Sequence, residues 1–214
     1  MSNEEILKKL SDAVVGGKIN DSKAAAQEAL DAGMPALDAI NDGLVAGMSI
    51  VGDKYAAHQV FLPQVLMSAH TMYAGLDILL PAIPKADMDK MLKAATCVVE
   101  GDVHDIGKNI VKAMLTGLGL TVIDMGKDVP IKDMIDKAVS EKAQIIASST
   151  LMTPTLAGMK QIEADLKENG MKGTIKTMIG GGATSKEFAD QIGADGWSYD
   201  AVEASHVAAG FLGI

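Results

Sequence analysis

Glu100-Gly101-Asp102-Val103-His104-Asp105-Ile106-Gly107 lies between an apolar run, Ala94 to Val99, and a helical run, Lys108 to Leu115. A strand that empties into a short polar loop and then enters a helix puts that loop at the carboxyl edge of a parallel sheet, where open α/β folds bind ligands. Asp102 and His104 are two residues apart. The carboxylate can accept a hydrogen bond from one imidazole nitrogen and leave the other free for a metal. Taken alone, such a pair is more often a helix cap beside a solvated histidine.

Downstream, the pattern repeats. Apolar or β-branched runs at Leu120 to Met125, Gln144 to Ser149 and Thr174 to Ile179 alternate with helical runs at Ile131 to Glu141, Thr155 to Asn169 and Ser185 to Ile192. A short fifth strand at Gly196 to Ser198 and a last helix from Asp200 to Leu212 complete the series. Such alternation predicts a Rossmann-like or flavodoxin-like parallel sheet of five strands with crossover helices, an α/β domain over residues 94–214.

Upstream, the period is helical. Ile6, Leu7, Leu10 and Val14 form an apolar stripe that Gly16-Gly17 ends, and Asp21 and Ser22 are candidate caps for a second helix closed by Gly33. Pro35 opens a third, with Leu37, Ile40, Leu44, Met48 and Val51 on one face. A fourth runs from about Val60 to Leu80, with Pro63 in its first turns. Together they predict a four-helix bundle over residues 1–80, joined by a charged linker, residues 81–93, that carries Lys85, Asp87, Asp89, Lys90 and Lys93.

The chain has 214 residues, 48% of them hydrophobic, which is enough for buried cores without staples. Its one cysteine, Cys97, sits in a strand, so no disulfide framework or cysteine metal cluster is expected, as suits a reducing cytoplasm. Nineteen Lys plus Arg against 28 Asp plus Glu leave a net charge of -9, which argues against a nucleic-acid partner. Met1-Ser2-Asn3-Glu4-Glu5 lacks the basic head of a signal peptide. The uncharged stretch Tyr55 to Leu76 holds His58, Gln59, Pro63, Gln64 and His70, costly groups in lipid, so no membrane span is expected. Methionines number 14 against 3% aromatics, adaptable filling for irregular apolar surfaces.

Two further strand ends fall at the same predicted edge. One is Ser148-Ser149-Thr150-Leu151-Met152-Thr153-Pro154-Thr155, dense in hydroxyls that suit either a ligand or a helix cap. The other is Gly180-Gly181-Gly182-Ala183-Thr184-Ser185, where glycines suit either close ligand approach or a simple turn. Neither matches a dinucleotide or P-loop fingerprint, and His58, His70 and His206 make no close-spaced zinc set.

The octapeptide resembles the cobalamin-binding Asp-x-His-x-x-Gly signature of methionine synthase and of the corrinoid proteins of methyltransferase systems, here Asp102, His104 and Gly107. All three strand-end loops match that pattern in order. The helical bundle, through Val51-Gly52-Asp53-Lys54 and Phe61-Leu62-Pro63-Gln64-Val65, resembles the family's cap. The resemblance implies a cobalamin or related corrinoid held by Gly101, Asp102, Val103, His104, Asp105, Ile106, Gly107, Ser149, Leu151, Thr153, Gly180 and Gly181. His104 would be the lower ligand of cobalt with Asp102 behind it. Ser149 and Thr153 would contact the nucleotide tail, and Gly180 and Gly181 would leave it room. Thr155 stands where methionine synthase has the serine of its His-Asp-Ser relay, and Phe61, Leu62 and Val65 would shield the upper face unless they are bundle core.

In length the chain is similar to the small corrinoid proteins. The resemblance thus implies a cytoplasmic methyl carrier: cob(I)alamin takes a methyl group from a substrate-specific methyltransferase, and methylcob(III)alamin passes it to a second one with a folate or thiol acceptor. It also implies a reductive activator, a linker hinge that moves the cap, and no stand-alone turnover. A cobalamin-binding sensor or storage module is the alternative. A phosphoacceptor role for Asp102 rests on fold analogy alone.

Overall fold

The computed structural model describes residues 2–84, 87 and 90–214. The chain divides into two compact units, Met1–Met91 with Thr116–Gly119, and Leu92–Leu115 with Leu120–Ile214.

In the first unit, α1 (Asn3–Val15) starts at Ser2, whose hydroxyl accepts the Glu5 N–H while the Glu5 carboxylate accepts the Ser2 N–H. This reciprocal pair satisfies two of the donors that a helix start leaves unpaired. Gly17, at φ +64°, turns the chain into α2 (Ile19–Asp31). That helix begins earlier than Asp21 and Ser22 suggested. Lys18 precedes it without a side-chain cap, and Ser22 is buried in the small-residue stripe with Ala25, Ala26 and Ala29. Burial of this stripe, rather than a cap, sets the first turn.

The third helical segment is not uniform. α3 (Ala36–Asp38) widens into a π-helical stretch, Ala39–Val45, and tightens again as α4 (Ala46–Ala56). Gly43, in the wide part, lies so close to Leu10 that a β-carbon there would stand 2.8 Å from its side chain. α5 (Leu62–Leu79) packs chiefly on α2. Gly75 permits the approach, since a β-carbon on it would meet Ser22 Oγ at 2.7 Å and the Leu44 methyls at 2.9 Å. The stretch Leu62–Ala82 is long and apolar enough to cross a membrane by length and composition, and 44% of its most apolar window is buried. A 3₁₀ turn, Leu80–Ala82, follows. Of the linker expected over residues 81–93, Lys85, Ala86, Met88 and Asp89 lie outside the described residues. Lys93 belongs to the first strand.

The second unit is the expected α/β sheet. Its strands are β1 (Lys93–Val98), β2 (Thr121–Asp124), β3 (Ile145–Ser149), β4 (Lys176–Gly180) and β5 (Gly196–Ser198), all parallel in the order β2-β1-β3-β4-β5. Between them run α6 (Ile106–Gly117), α7 (Ile131–Ser140), α8 (Leu156–Glu168) and α9 (Lys186–Ile192), and α10 (Ala201–Leu212) ends the chain. From Ala94 to Val99 every residue is buried. Such a run is what a central strand covered on both faces requires, and it explains the absence of polar alternation in the sequence.

One core joins Ala95, Cys97 and Val99 of β1 and its exit to Met134, Ile135 and Ala138 of α7 and Met159, Ile162 and Leu166 of α8. Each large side chain so buried contributes roughly 1.5–3 kcal/mol relative to exposure. Because β3 lies on one side of β1 and β2 on the other, the order in which successive strands are added to the sheet reverses between β1 and β3. The loops after those two strands part there, opening a crevice at the carboxyl edge.

Candidate functional site

The loop leaving β1 is shaped by its neighbours. Val99 makes an isolated parallel bridge with Val129, and the Asp102 N–H returns to the Val99 carbonyl at 3.1 Å. Gly101 takes φ +84° in this tight turn, a conformation that costs glycine little. The result separates two polar residues that stand two positions apart. Asp102 is turned inward with no exposed surface, while His104 is turned outward with 52% of its side chain exposed.

Asp102 has every acceptor position in use. Oδ1 accepts the His104 backbone N–H at 2.9 Å and faces His104 Nδ1 at 2.7 Å. Oδ2 accepts the Thr150 hydroxyl at 2.5 Å and the Leu151 N–H at 2.7 Å. Burial alone pushes this carboxyl up. The bonds from Thr150, the His104 and Leu151 backbones and the His104 ring outweigh it and hold the group well below the usual carboxylate range. An ionised carboxylate only accepts, so the nitrogen that faces it, Nδ1, carries a proton, and in the neutral ring Nε2 keeps its lone pair. The arrangement yields a single oriented nitrogen donor, suited to a metal.

Sequence reasoning missed Thr150. Thr155 does not touch Asp102. Its hydroxyl lies 2.5 Å from that of Thr150 and donates at 2.8 Å to the Met152 carbonyl. The relay position implied for Thr155 is thus reached through Thr150, in the order His104, Asp102, Thr150, Thr155. Thr150 is the first residue past β3 and is buried beside the carboxylate, whereas Thr155 is five residues on, in a 3₁₀ turn. The signal available was the density of hydroxyls from Ser148 to Thr155.

Around His104 the surface is apolar. Val103, Ile106, Leu151 and Met152 are all exposed large hydrophobic residues, contributed by the loop after β1, the start of α6 and the loop after β3. Leu151 thus has two roles, a backbone N–H on the buried carboxylate and a side chain outside. Gly107 stands in the first turn of α6 with nothing within 4 Å of a would-be β-carbon. The fold itself does not need a glycine there.

The other predicted residues fall into place unevenly. Asp105 contributes its carbonyl to the start of α6, accepting Asn109 N–H at 2.9 Å. Ser149, half-buried, reaches back to the Cys97 carbonyl at 3.5 Å, and Thr153 is exposed. Gly180 and Gly181 do not hold empty space. A β-carbon on Gly181, at φ +100°, would stand 2.2 Å from the Thr150 carbonyl oxygen, and one on Gly180 would stand 3.2 Å from that of Ser198. The missing side chain of Gly181 lets the loop after β4 pack on the Thr150 backbone, and that of Gly180 lets β4 close on β5.

In the bundle, Phe61 is 70% exposed and Leu62 partly so, whereas Val65 is fully buried among the α5 core residues and presents no surface to a ligand. Phe61 precedes the helix in extended backbone, at φ -113° and ψ 166°, so helical spacing does not place it on Val65's face. Among the described residues no three His, Cys, Asp or Glu side chains gather as a metal site.

Comparison with known proteins bears on both units. Residues 6–80 and residues 92–205 each match a family model described as a B12 binding domain. The chain is 40% identical over 212 residues to monomethylamine corrinoid protein 2 of Methanosarcina acetivorans, covering 97% of this chain and 98% of that one. It is 42% identical over 196 residues to trimethylamine corrinoid protein 1 of Methanosarcina mazei, 91% of each. Its structure is similar to a chain of the methanol:cobalamin methyltransferase complex MtaBC from Methanosarcina barkeri, with a TM-score of 0.87 and 34% identity, covering 100% of this chain and 82% of that one.

Proposed function

The chain belongs to the two-domain B12-binding corrinoid proteins of methyltransferase systems, and on that premise we propose that His104 is the protein's ligand to the cobalt of the corrinoid it carries. It is a corrinoid methyl carrier, working with a methyltransferase rather than alone. When bound, the corrinoid supplies a cobalt centre able to take up and give up a methyl group, the step that no side chain here could perform.

The residues present fit such a group. A corrin brings its own ring of equatorial donors, so one further nitrogen suffices, and the site offers one. The exposed Val103, Ile106, Leu151 and Met152 match the apolar part of a broad flat ring. Gly107, free of any internal steric demand, leaves its turn of α6 open to close approach. The observation that carries the assignment is the inequality of the two ring nitrogens of His104: Nδ1 is locked by a saturated buried carboxylate while the rest of the ring stands exposed.

What the chain's own residues do follows from that geometry. Asp102 orients the imidazole and keeps Nδ1 protonated. Thr150 donates to Asp102, so its oxygen is free to accept from Thr155, whose own proton can go either to Thr150 or to the Met152 carbonyl. That alternative gives the buried carboxylate a hydroxyl path toward the half-buried Thr155. Ser149 and Thr153 stand at the same edge as contacts for the corrinoid tail, and Phe61 and Leu62 are the exposed apolar candidates for shielding on the bundle. A substrate-specific methyltransferase is the first partner; a second methyltransferase with a folate or thiol acceptor, a reductive activator and a cytoplasmic location complete the proposal.

The test is reconstitution with cobalamin, reduction, and exposure to donors with partner methyltransferases. Methylamines lead the panel because two similar proteins bear that name, followed by methanol, betaines and aryl methyl ethers. A change in the corrinoid's absorption with one donor and partner names the substrate. Retention of the corrinoid with no change for any pair would leave a storage or sensing role instead.

A further inference from the structure

The loop between β2 and α7 contributes nothing to the apolar surface, yet it brackets the His104 loop at both ends. At its start Asp124 accepts the buried Lys108 ammonium at 2.5 Å and the Gly126 N–H at 3.0 Å, tying it to the first turns of α6. The loop then climbs beside β1, with Met125 N–H on the Thr96 carbonyl, the Gly126 carbonyl on Val98 N–H, and Val129 N–H on the Val98 carbonyl. Gly126 at φ +84° and Asp128 at φ +52° are two left-handed residues within three, which the return to β1 pairing requires.

Asp128 is the unusual one, because left-handed backbone is costly for a residue with a β-carbon. Its side-chain Oδ1 accepts the Gly101 N–H at 2.7 Å, and its own N–H donates to the Asp102 carbonyl at 2.9 Å. Two hydrogen bonds thus hold the peptide that enters Gly101 and the peptide that leaves Asp102 toward Val103, one on each side of the Gly101–Asp102 link. Backbone strain that persists where the surroundings over-determine it points to a site whose geometry matters.

We propose that Asp128 is a positioning residue for His104, a clamp from the neighbouring loop that fixes the backbone of Gly101 and Asp102 and thereby sets where the ligand nitrogen stands. The clamp acts on the backbone, one step behind the carboxylate that orients the ring. Its importance for corrinoid chemistry rests on His104 being the ligand; the clamp itself is a property of the chain alone.

Two substitutions separate its parts. Asp128→Asn keeps the Oδ1 acceptor and tolerates left-handed backbone, whereas Asp128→Gly keeps the backbone and deletes the acceptor. In the apoprotein, nuclear magnetic resonance reads the exchange of the Gly101 amide and the two ¹⁵N ring signals of His104. Loss of a hydrogen bond to a charged acceptor corresponds to about tenfold faster Gly101 exchange in Asp128→Gly. In that variant the His104 ring is expected to leave its single Nδ1–H form for a solvent-averaged mixture, with Asp128→Asn matching wild type. A loss of stability with unchanged ring signals would overturn the clamp. Should Asp128→Gly fail to fold, Asp128→Ala, which also lacks the acceptor, is read the same way.

Reconstitution with aquocobinamide, a corrinoid without its own base, adds the second arm. Here Asp128→Gly should lower the ratio of His-ligated to unligated spectrum by about tenfold. A wild-type ratio would overturn the clamp's effect on the ligand. If His104→Ala gave the wild-type spectrum, the ligand assignment would fail, and the apoprotein signals would still decide the clamp.

Discussion

Thr150→Val removes one hydroxyl from the donors around Asp102 and puts a methyl group of similar size in its place. Thr150 is buried, so the change leaves no cavity for water to fill and no exposed surface to relax. Oδ2 of Asp102 keeps only the Leu151 N–H, and the Met152 N–H, which reaches the Thr150 oxygen at 3.1 Å, loses its acceptor. A hydrogen bond to a buried charge contributes about 2 kcal/mol and a neutral one about 1, so the expected loss is about 3 kcal/mol at pH 7. Trp197, the only tryptophan, lies in β5 and donates to Thr184, so its fluorescence follows urea unfolding of the sheet unit. With a slope near 2 kcal/mol per molar urea the midpoint should fall by about 1.5 M.

The pH dependence gives the sharper test. The folded Asp102 carboxyl is held below its unfolded value, so the stability it confers is complete above the unfolded value of about 3.9. That contribution disappears as the pH drops through the folded value. The gap between wild type and Thr150→Val should therefore be constant from pH 7 to 5 and shrink below pH 4, while Thr150→Ser stays within about 1 kcal/mol of wild type. Equal midpoints at pH 7, a gap indifferent to acid, or a Thr150→Ser as unstable as Thr150→Val would each refute the reasoning.

Gly181→Ala should destabilise the sheet unit by about 3 kcal/mol or more, because its β-carbon would overlap the Thr150 backbone at positive φ; thermal denaturation reads this directly. Gly107→Ala should leave stability unchanged or raise it by up to about 1 kcal/mol, as the new β-carbon meets open space in a helix. Its effect should appear instead as weaker corrinoid retention in equilibrium dialysis. His104→Ala, which takes one of four hydrogen bonds from the buried Asp102 carboxylate but removes a half-exposed ring, should cost about 1.5 kcal/mol while abolishing any spectral sign of a protein nitrogen on cobalt. Asp195, held down to about 2 against the effect of burial by Lys172, the Thr177 N–H and Lys176, is anionic and stabilising at neutral pH. Asp195→Asn should cost about 2 kcal/mol at pH 7, with the difference lost as the pH falls from about 4 toward 2, read by acid titration of Trp197 fluorescence.

The strands and crossover helices were legible because their apolar runs are short and bounded, and the edge residues shifted by only one or two positions. Leu120 to Met125 became Thr121–Asp124, and Ile131 to Glu141 became Ile131–Ser140. The His104 and Asp102 pairing was legible because it is local, two residues apart. Thr150 and Asp128 were not, since each meets the loop from another strand, 48 residues away for Thr150 and Asp102 and 27 for Gly101 and Asp128. Only strand order brings them together. The π-helical stretch from Ala39 to Val45 was illegible for a related reason: Gly43 and Leu10 meet across helices, and a spacing rule within one helix carries no trace of that contact.

The saturated carboxylate also decides which metals the protein refuses. With all four of its acceptor positions committed, Asp102 is not free to turn toward an ion, and among the described residues no set of three His, Cys, Asp or Glu side chains gathers around His104. A bare zinc or calcium ion needs three or more protein ligands to be held against water. It would find one imidazole and leave. Selectivity at this site comes from scarcity: one oriented donor suits a metal that arrives with the rest of its coordination sphere already filled, and it gives a bare divalent ion little to hold.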